Sequence, residues 1–410
     1  MSTPTSQPET QAPEQPADNS LTPEQEAAAA ISAELAAETA AVASKKRKNS
    51  DGDGDDDDPD VLASYKDYGR AYLRLGDPFT PIDEIVQHGI FVETTEEIDY
   101  PKMDTKQRKI FDRNTASWEI LWRLIGPVFR DRMILLKKNR KLRRRVCSQI
   151  GAGLSGSRGE DANTLKKFVI DYLQANTEDP VDPPLPKTTK IERGYNHKLT
   201  ASLLCPAKKQ ANDATYEGIA NGTIKVTGRM FPRFFYPHDW VYDGENLMDK
   251  LFEGHLMIRT GKCILQGPSQ ALKPPGAHRG NRGNAAKIGA RAMTPRLLAY
   301  IGIQTLFSIS SLDTWQQTDG GFDYEQFYWT IVGLFEDDEN GGILENFNHH
   351  VFGDVSGRPI APATADTSND DDDEDDLETY RAMRAKKARL AAEAEAAATS
   401  TSSSTSSGAT

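Results

Sequence analysis

The chain has 410 residues, of which 37% are hydrophobic and 27% charged, with a formal net charge of −12. That charge is unevenly placed: residues 1–60 hold 14 acids and 4 bases, residues 361–410 hold 11 acids and 5 bases, and the stretch between holds 36 acids and 40 bases. The three cysteines, Cys147, Cys205 and Cys263, form no CxxC pair, and the longest uncharged run, Leu297–Leu312, is 16 residues; a zinc ribbon, a redox dithiol, a disulfide scaffold and a bilayer-spanning helix are therefore all unsignalled.

Residues 1–20 are polar and rich in Pro, Thr and Gln, which reads as disorder and lacks the apolar stretch of a secretory signal. Thr22, Pro23 and Gln25 then supply a helix start before an Ala/Glu-rich segment with few large apolar residues, so a frayed helix is expected there. Lys45, Lys46, Arg47 and Lys48 follow, just ahead of the run Asp55–Asp58. A four-base cluster in polar surroundings fits a nuclear import signal read by an importin-type receptor; its bland reading is a solvated charge block, with the cytoplasm as the alternative location.

The folded part is expected over 61–360, as a helical subregion at 61–175, a Pro-rich linker at 176–190 and a second part of the core at 191–360. Trp118, Leu121, Trp122 and Ile125 recur at helical spacing. Gly126-Pro127 is expected to interrupt or kink that helix. Val128–Ile150 reads as its continuation, with Phe129, Met133, Leu136, Leu142 and Val146 toward the core. Gly151 to Gly159 is expected to end it, and Asp161–Leu173 to form another helix, striped by Leu165, Phe168, Val169 and Tyr172. Asn246–Arg259 shows a further helical pattern.

The clearest signals come last. Thr294 can cap a helix opened by Pro295, and Asp323 can cap a second one with Gln326 three residues on. The sequence therefore reads as mainly α: a helical core domain with irregular Gly/Pro-rich crossing segments, flanked by disordered acidic tails. The C-terminal tail, 361–410, combines Asp370–Asp376 with another Ala-rich helical segment.

Leu203-Leu204-Cys205-Pro206, Phe231-Pro232-Arg233-Phe234-Phe235-Tyr236, Gly267-Pro268-Ser269, Met293-Thr294-Pro295, Phe307-Ser308-Ile309-Ser310-Ser311 with Trp315, and Phe322-Asp323-Tyr324 occur in this order. The series resembles an uncharacterised family from basidiomycete (mushroom-type) fungi. The resemblance covers roughly 110–340. It implies domain limits and charged low-complexity flanks, and it carries over no mechanism, cofactor or catalytic residue.

The most unusual composition is Arg123–Arg145, ten bases against one acid, Asp131. Arg130, Lys137, Lys138, Arg140, Lys141, Arg143, Arg144 and Arg145 would put positive potential on one face and attract phosphates or an acidic protein; the bland reading is a solvated helix face. Only Phe129 lies within the stretch as an aromatic, on the core side, which argues against base stacking. Arg279 and Arg282, in a Gly-rich loop, could assist at a phosphate.

Gly151-Ala152-Gly153-Leu154-Ser155-Gly156 matches GxGxxG on paper but follows a basic helix rather than a strand, so a helix-ending loop is expected. His238, Asp239, Asp243 and His255 could hold a divalent metal only if the fold gathers them, the case in which a metal-dependent nuclease or mobile-element relic would follow. Without GxSxG, HExxH or a P-loop, the expectation is a non-enzymatic nuclear protein with no cofactor and no membrane contact. Its basic face would meet nucleic acid or, alternatively, an acidic protein.

Overall fold

The computed structural model describes residues 59–95, 100–130, 132–275, 283–336 and 341–353, together with Lys386 and Arg389. The Lys45–Lys48 cluster, Arg279, Arg282 and nearly all of both acidic tails lie outside the described residues. The described part is mainly helical and belongs to one unit that begins at Pro59.

Helix α1 (Pro59–Leu75) leads to α2 (Ile82–Thr94) and α3 (Thr105–Arg130). The short α4 (Met133–Lys138) precedes α5 (Arg140–Tyr172), the longest helix at 33 residues. The expected interruption at Gly126-Pro127 does not occur: α3 continues through it to Arg130, with Ile125 and Phe129 fully buried on either side of the pair. The expected continuous basic helix is instead divided, because Asn139 leaves helical geometry and closes α4 while capping α5.

The glycine run needs a second correction. Gly151, Gly153, Gly156 and Gly159 all sit inside α5, which runs on through Asp161 to Tyr172. A Cβ at Gly153 would lie 2.0 Å from the Lys66 carbonyl oxygen, and one at Gly69 of α1 would lie 2.0 Å from the Ile150 carbonyl oxygen. The two helices thus cross backbone to backbone, each contributing a glycine at the crossing. Close packing of the pair outweighs the low intrinsic helix propensity of glycine.

Residues 173–193 carry no helix, yet Leu185, Lys190 and Arg193 within this stretch are buried. The buried apolar cluster includes side chains from both sides of it. Helices α6 (Lys198–Leu204) and α7 (Asp213–Ala220) follow. The helix expected from Asn246 begins only at His255, as α8 (His255–Gln266); Leu247 and Leu251 are buried from a preceding turn. Phe252 there takes a positive φ of 65° and is held between aromatic neighbours, with the tilted ring of Phe235 at 4.5 Å between centroids and the stacked ring of Phe335 at 6.5 Å.

After α9 (Asn284–Lys287) comes α10 (Pro295–Ile309), which matches expectation at its start. The Thr294 hydroxyl accepts from the Leu297 amide at 3.2 Å, Pro295 occupies the first helical position, and every residue from Leu297 to Ile309 is buried. The uncharged run is therefore a central core helix. The short antiparallel pair β1 (Thr318–Asp319) and β2 (Phe322–Asp323) leads into α11 (Tyr324–Gly333), where Asp323 accepts from the Glu325 and Gln326 amides. Helix α12 (Gly341–Phe352) closes the described fold. Among the described residues, no helix is long and apolar enough to cross a membrane.

Candidate nucleic-acid interface

Asn139 organises the basic segment. Its amide donates to the Leu135 carbonyl and ends α4, and its side-chain oxygen accepts from the Leu142 amide at 3.0 Å and starts α5. Met133, Leu136, Leu142 and Val146 anchor the underside in the core. Helical geometry then turns Lys137, Lys138, Arg140, Lys141, Arg144 and Arg145 outward, and all six are exposed.

The exposed cations cluster at an electrostatically costly place. Arg140, Lys141, Arg143, Arg144 and Arg145 occupy the first turns of α5, whose first turn holds no acid. Amide dipoles already make that end positive, so cations there repel it. Relief is local and partial: Arg143 pairs with Asp83 of α2 at 3.2 Å with its side chain 12% exposed. No described carboxylate pairs with Lys138, Arg140, Lys141 or Arg144. Arg143 is thus mainly a structural tether. Arg130 closes α3, and its side chain lies outside the described residues.

Two expectations about the face change. Ile134 and Leu135 point to solvent, 67% and 40% exposed, so the surface is basic with an apolar edge. Phe129 is buried as expected, but another aromatic stands nearby: Phe91 of α2 is 46% exposed. The Lys137 ammonium donates to Thr94 Oγ1 at 2.9 Å, one turn beyond Phe91. Composition of the basic segment alone could not find Phe91, which lies about 40 residues upstream. Its signal is the exposed helical face Glu84, Gln87, Phe91 and Thr94, where an aromatic interrupts polar residues.

The possible metal ligands do not gather into a site of three or more among the described residues, although His238 lies near enough to His255 to add to the effect of burial in lowering its pKa. Asp243 accepts from the Glu245 and Asn246 amides in a local turn. His255 bonds the Leu173 carbonyl at the end of α5 at 3.1 Å, and burial pulls its pKa down to about 4. Among the described residues, no group of three or more His, Cys, Asp or Glu side chains is placed to hold a metal ion. The cysteines are buried free thiols. Burial pushes Cys147 up to about 12, and the nearby Asp83 carboxylate adds to the shift, so none of this favours a reactive thiolate. GxGxxG lies inside α5, with no strand leading into it.

Residues 152–352 match the model of a family of unknown function (DUF6698). The match spans just under half of the chain. It takes in α10, α11 and most of α5, and it leaves out the basic residues at 137–145. No curated protein and no solved structure matches the chain.

Proposed function

We propose that this protein associates with nucleic acid through the α4–α5 junction, with Lys137, Lys138, Arg140, Lys141, Arg144 and Arg145 contacting phosphates. The observation that carries the reading is the accumulation of bases at the positive end of α5, where Arg143 pairs with Asp83 while Arg140, Lys141 and Arg144 meet no described carboxylate. Each such cation costs roughly 0.3–1 kcal/mol of helix stability, whereas the same end is a ready seat for an anion. Guanidinium and ammonium groups of this kind hold the backbone without reading sequence. A basidiomycete lineage is supported by the order of motifs in the chain.

The test uses the full chain in fluorescence-anisotropy titrations against labelled duplex DNA, single-stranded RNA and heparin, at two salt concentrations. Lys138, Lys141 and Arg144 are changed together to Gln, since all three are exposed and unpaired. The triple variant should bind nucleic acid at least about tenfold more weakly, and its salt slope should be shallower by about 3. Absence of binding to any nucleic acid at low salt sinks the proposal.

One observation favours a second reading, an acidic amphipathic protein segment as the partner. The exposed Ile134 and Leu135 would contact its apolar face. Changing both to Ser should then abolish that association while leaving binding to duplex DNA unchanged.

A further inference from the structure

Phe91 belongs to the same surface as the basic junction, although it is far from it in sequence. Helix α2 is fastened to the basic segment at both ends. Asp83, at its start, pairs with Arg143 at 3.2 Å, and Thr94, at its end, accepts from Lys137 at 2.9 Å. Phe91 lies three residues before Thr94, so the two share a face of α2. That face is open: Gln87, Phe91 and Thr94 are all exposed. The opposite face carries Ile85, Val86 and Ile90 into the core, so the exposure of Phe91 is not a consequence of a frayed or unpacked helix.

An aromatic ring left in water on a surface of exposed cations is the arrangement that unpaired nucleotides recognise. The cations follow the phosphates, and the ring offers a stacking surface to a base that is free of its complement. A duplex keeps its bases stacked inside and offers only phosphates to such a surface. Resting on the nucleic-acid reading above, we propose that the partner is single-stranded nucleic acid, with Phe91 stacking on a base while Lys137, Lys138, Lys141 and Arg144 hold the neighbouring phosphates. Glu84 stands two turns away on the same face of α2 and sets a limit to the strand's path on that side.

The experiment compares Phe91→Ala, Phe91→Trp and the unchanged full chain. The probes are a fluorescein-labelled oligo(dT) 20-mer, a duplex of equal length and heparin. Alanine is the better helix former, so the substitution at this exposed position leaves α2 intact. Phe91→Ala should weaken oligo(dT) binding about tenfold and change duplex and heparin binding less than twofold. Phe91→Trp should restore oligo(dT) affinity, and the added tryptophan fluorescence should be quenched by oligo(dT) and not by heparin.

Equal losses on all three polyanions would make Phe91 a support for the charges and overturn the stacking. No loss on oligo(dT) would overturn it as well. Failure of the nucleic-acid reading itself looks different: the unchanged chain would bind neither oligo(dT) nor duplex at low salt, and this inference would fall with it.

Discussion

Arg193 is fully buried without a carboxylate in hydrogen-bonding reach; its guanidinium donates instead to the carbonyls of Ser308 at 2.7 Å, Lys166 at 2.6 Å and Pro186 at 3.2 Å. Lys190, also buried, donates to the Leu312 carbonyl and lies 3.4 Å from the Phe307 ring centroid. Both cations gather at the negative end of α10, where unsatisfied carbonyls and the helix dipole favour positive charge. Burial, reinforced by Arg193, lowers the Lys190 pKa from 10.5 to about 7. Asp313 and Asp319 oppose the shift, and Lys166 adds to it. Between those two values the unfolded chain keeps the proton that the folded chain releases, so stability rises with pH across the window. Below it, the fold carries the whole cost of a buried ammonium. The urea midpoint of the full chain should therefore rise from pH 7 to pH 9, and Lys190→Met should flatten the rise. Two pH units of one proton bound the difference at about 2–3 kcal/mol. Identical slopes in the two proteins would show that Lys190 does not titrate in this way. The range stops at pH 9 because the buried thiols act in the opposite sense above it: burial raises Cys205 and Cys263 to about 11, so their protonated forms favour the fold.

Among the helices, the α1–α5 crossing separates two uses of glycine that look alike in the sequence. Gly153 and Gly69 face carbonyl oxygens at the crossing, whereas Gly151, Gly156 and Gly159 have nothing within 4 Å of the place a Cβ would occupy. Gly153→Ala must push the two backbones apart and should cost on the order of 1–3 kcal/mol or more. Alanine at 151, 156 or 159 meets no neighbour and should add about 0.5–1 kcal/mol each, by restricting the unfolded chain and favouring helix. Thermal melts of the four single variants check this; destabilisation at all of them would return the glycines to a hinge or loop role. The same contrast explains what could be read in advance. Thr294-Pro295 and Asp323 act through atoms two or three residues away, so their capping roles were legible in the local sequence. The continuation of α5 through its glycines depends on α1, more than 80 residues earlier, and no local pattern contains that contact. Phe91 and Lys137 were separated in the same way: the basic composition marked one half of the candidate surface, and only the packing of α2 supplied the other.

At the scale of the whole chain, the charge partition places a mildly basic middle between two acidic ends. Asp370–Asp376 is itself a polyanion of seven consecutive carboxylates. Such a segment can compete with phosphates for the same cations, weakening non-specific binding more than binding that also gains from stacking. Among the described residues of the C-terminal region, Lys386 pairs with Glu245 at 2.8 Å, with both side chains more than half exposed. A pair so open to water contributes little stability, so substitutions in the tail should leave the fold unchanged. Replacing the seven acids of 370–376 by Asn and Gln keeps the chain length and removes only charge. In low salt this variant should bind duplex DNA several-fold more tightly than the unchanged chain, and the gain should shrink as added salt screens the tail. A smaller gain is expected on oligo(dT), where Phe91 contributes independently of charge. Unchanged or weaker duplex binding would remove the tail as a competitor and leave its acids as solubilising charge alone.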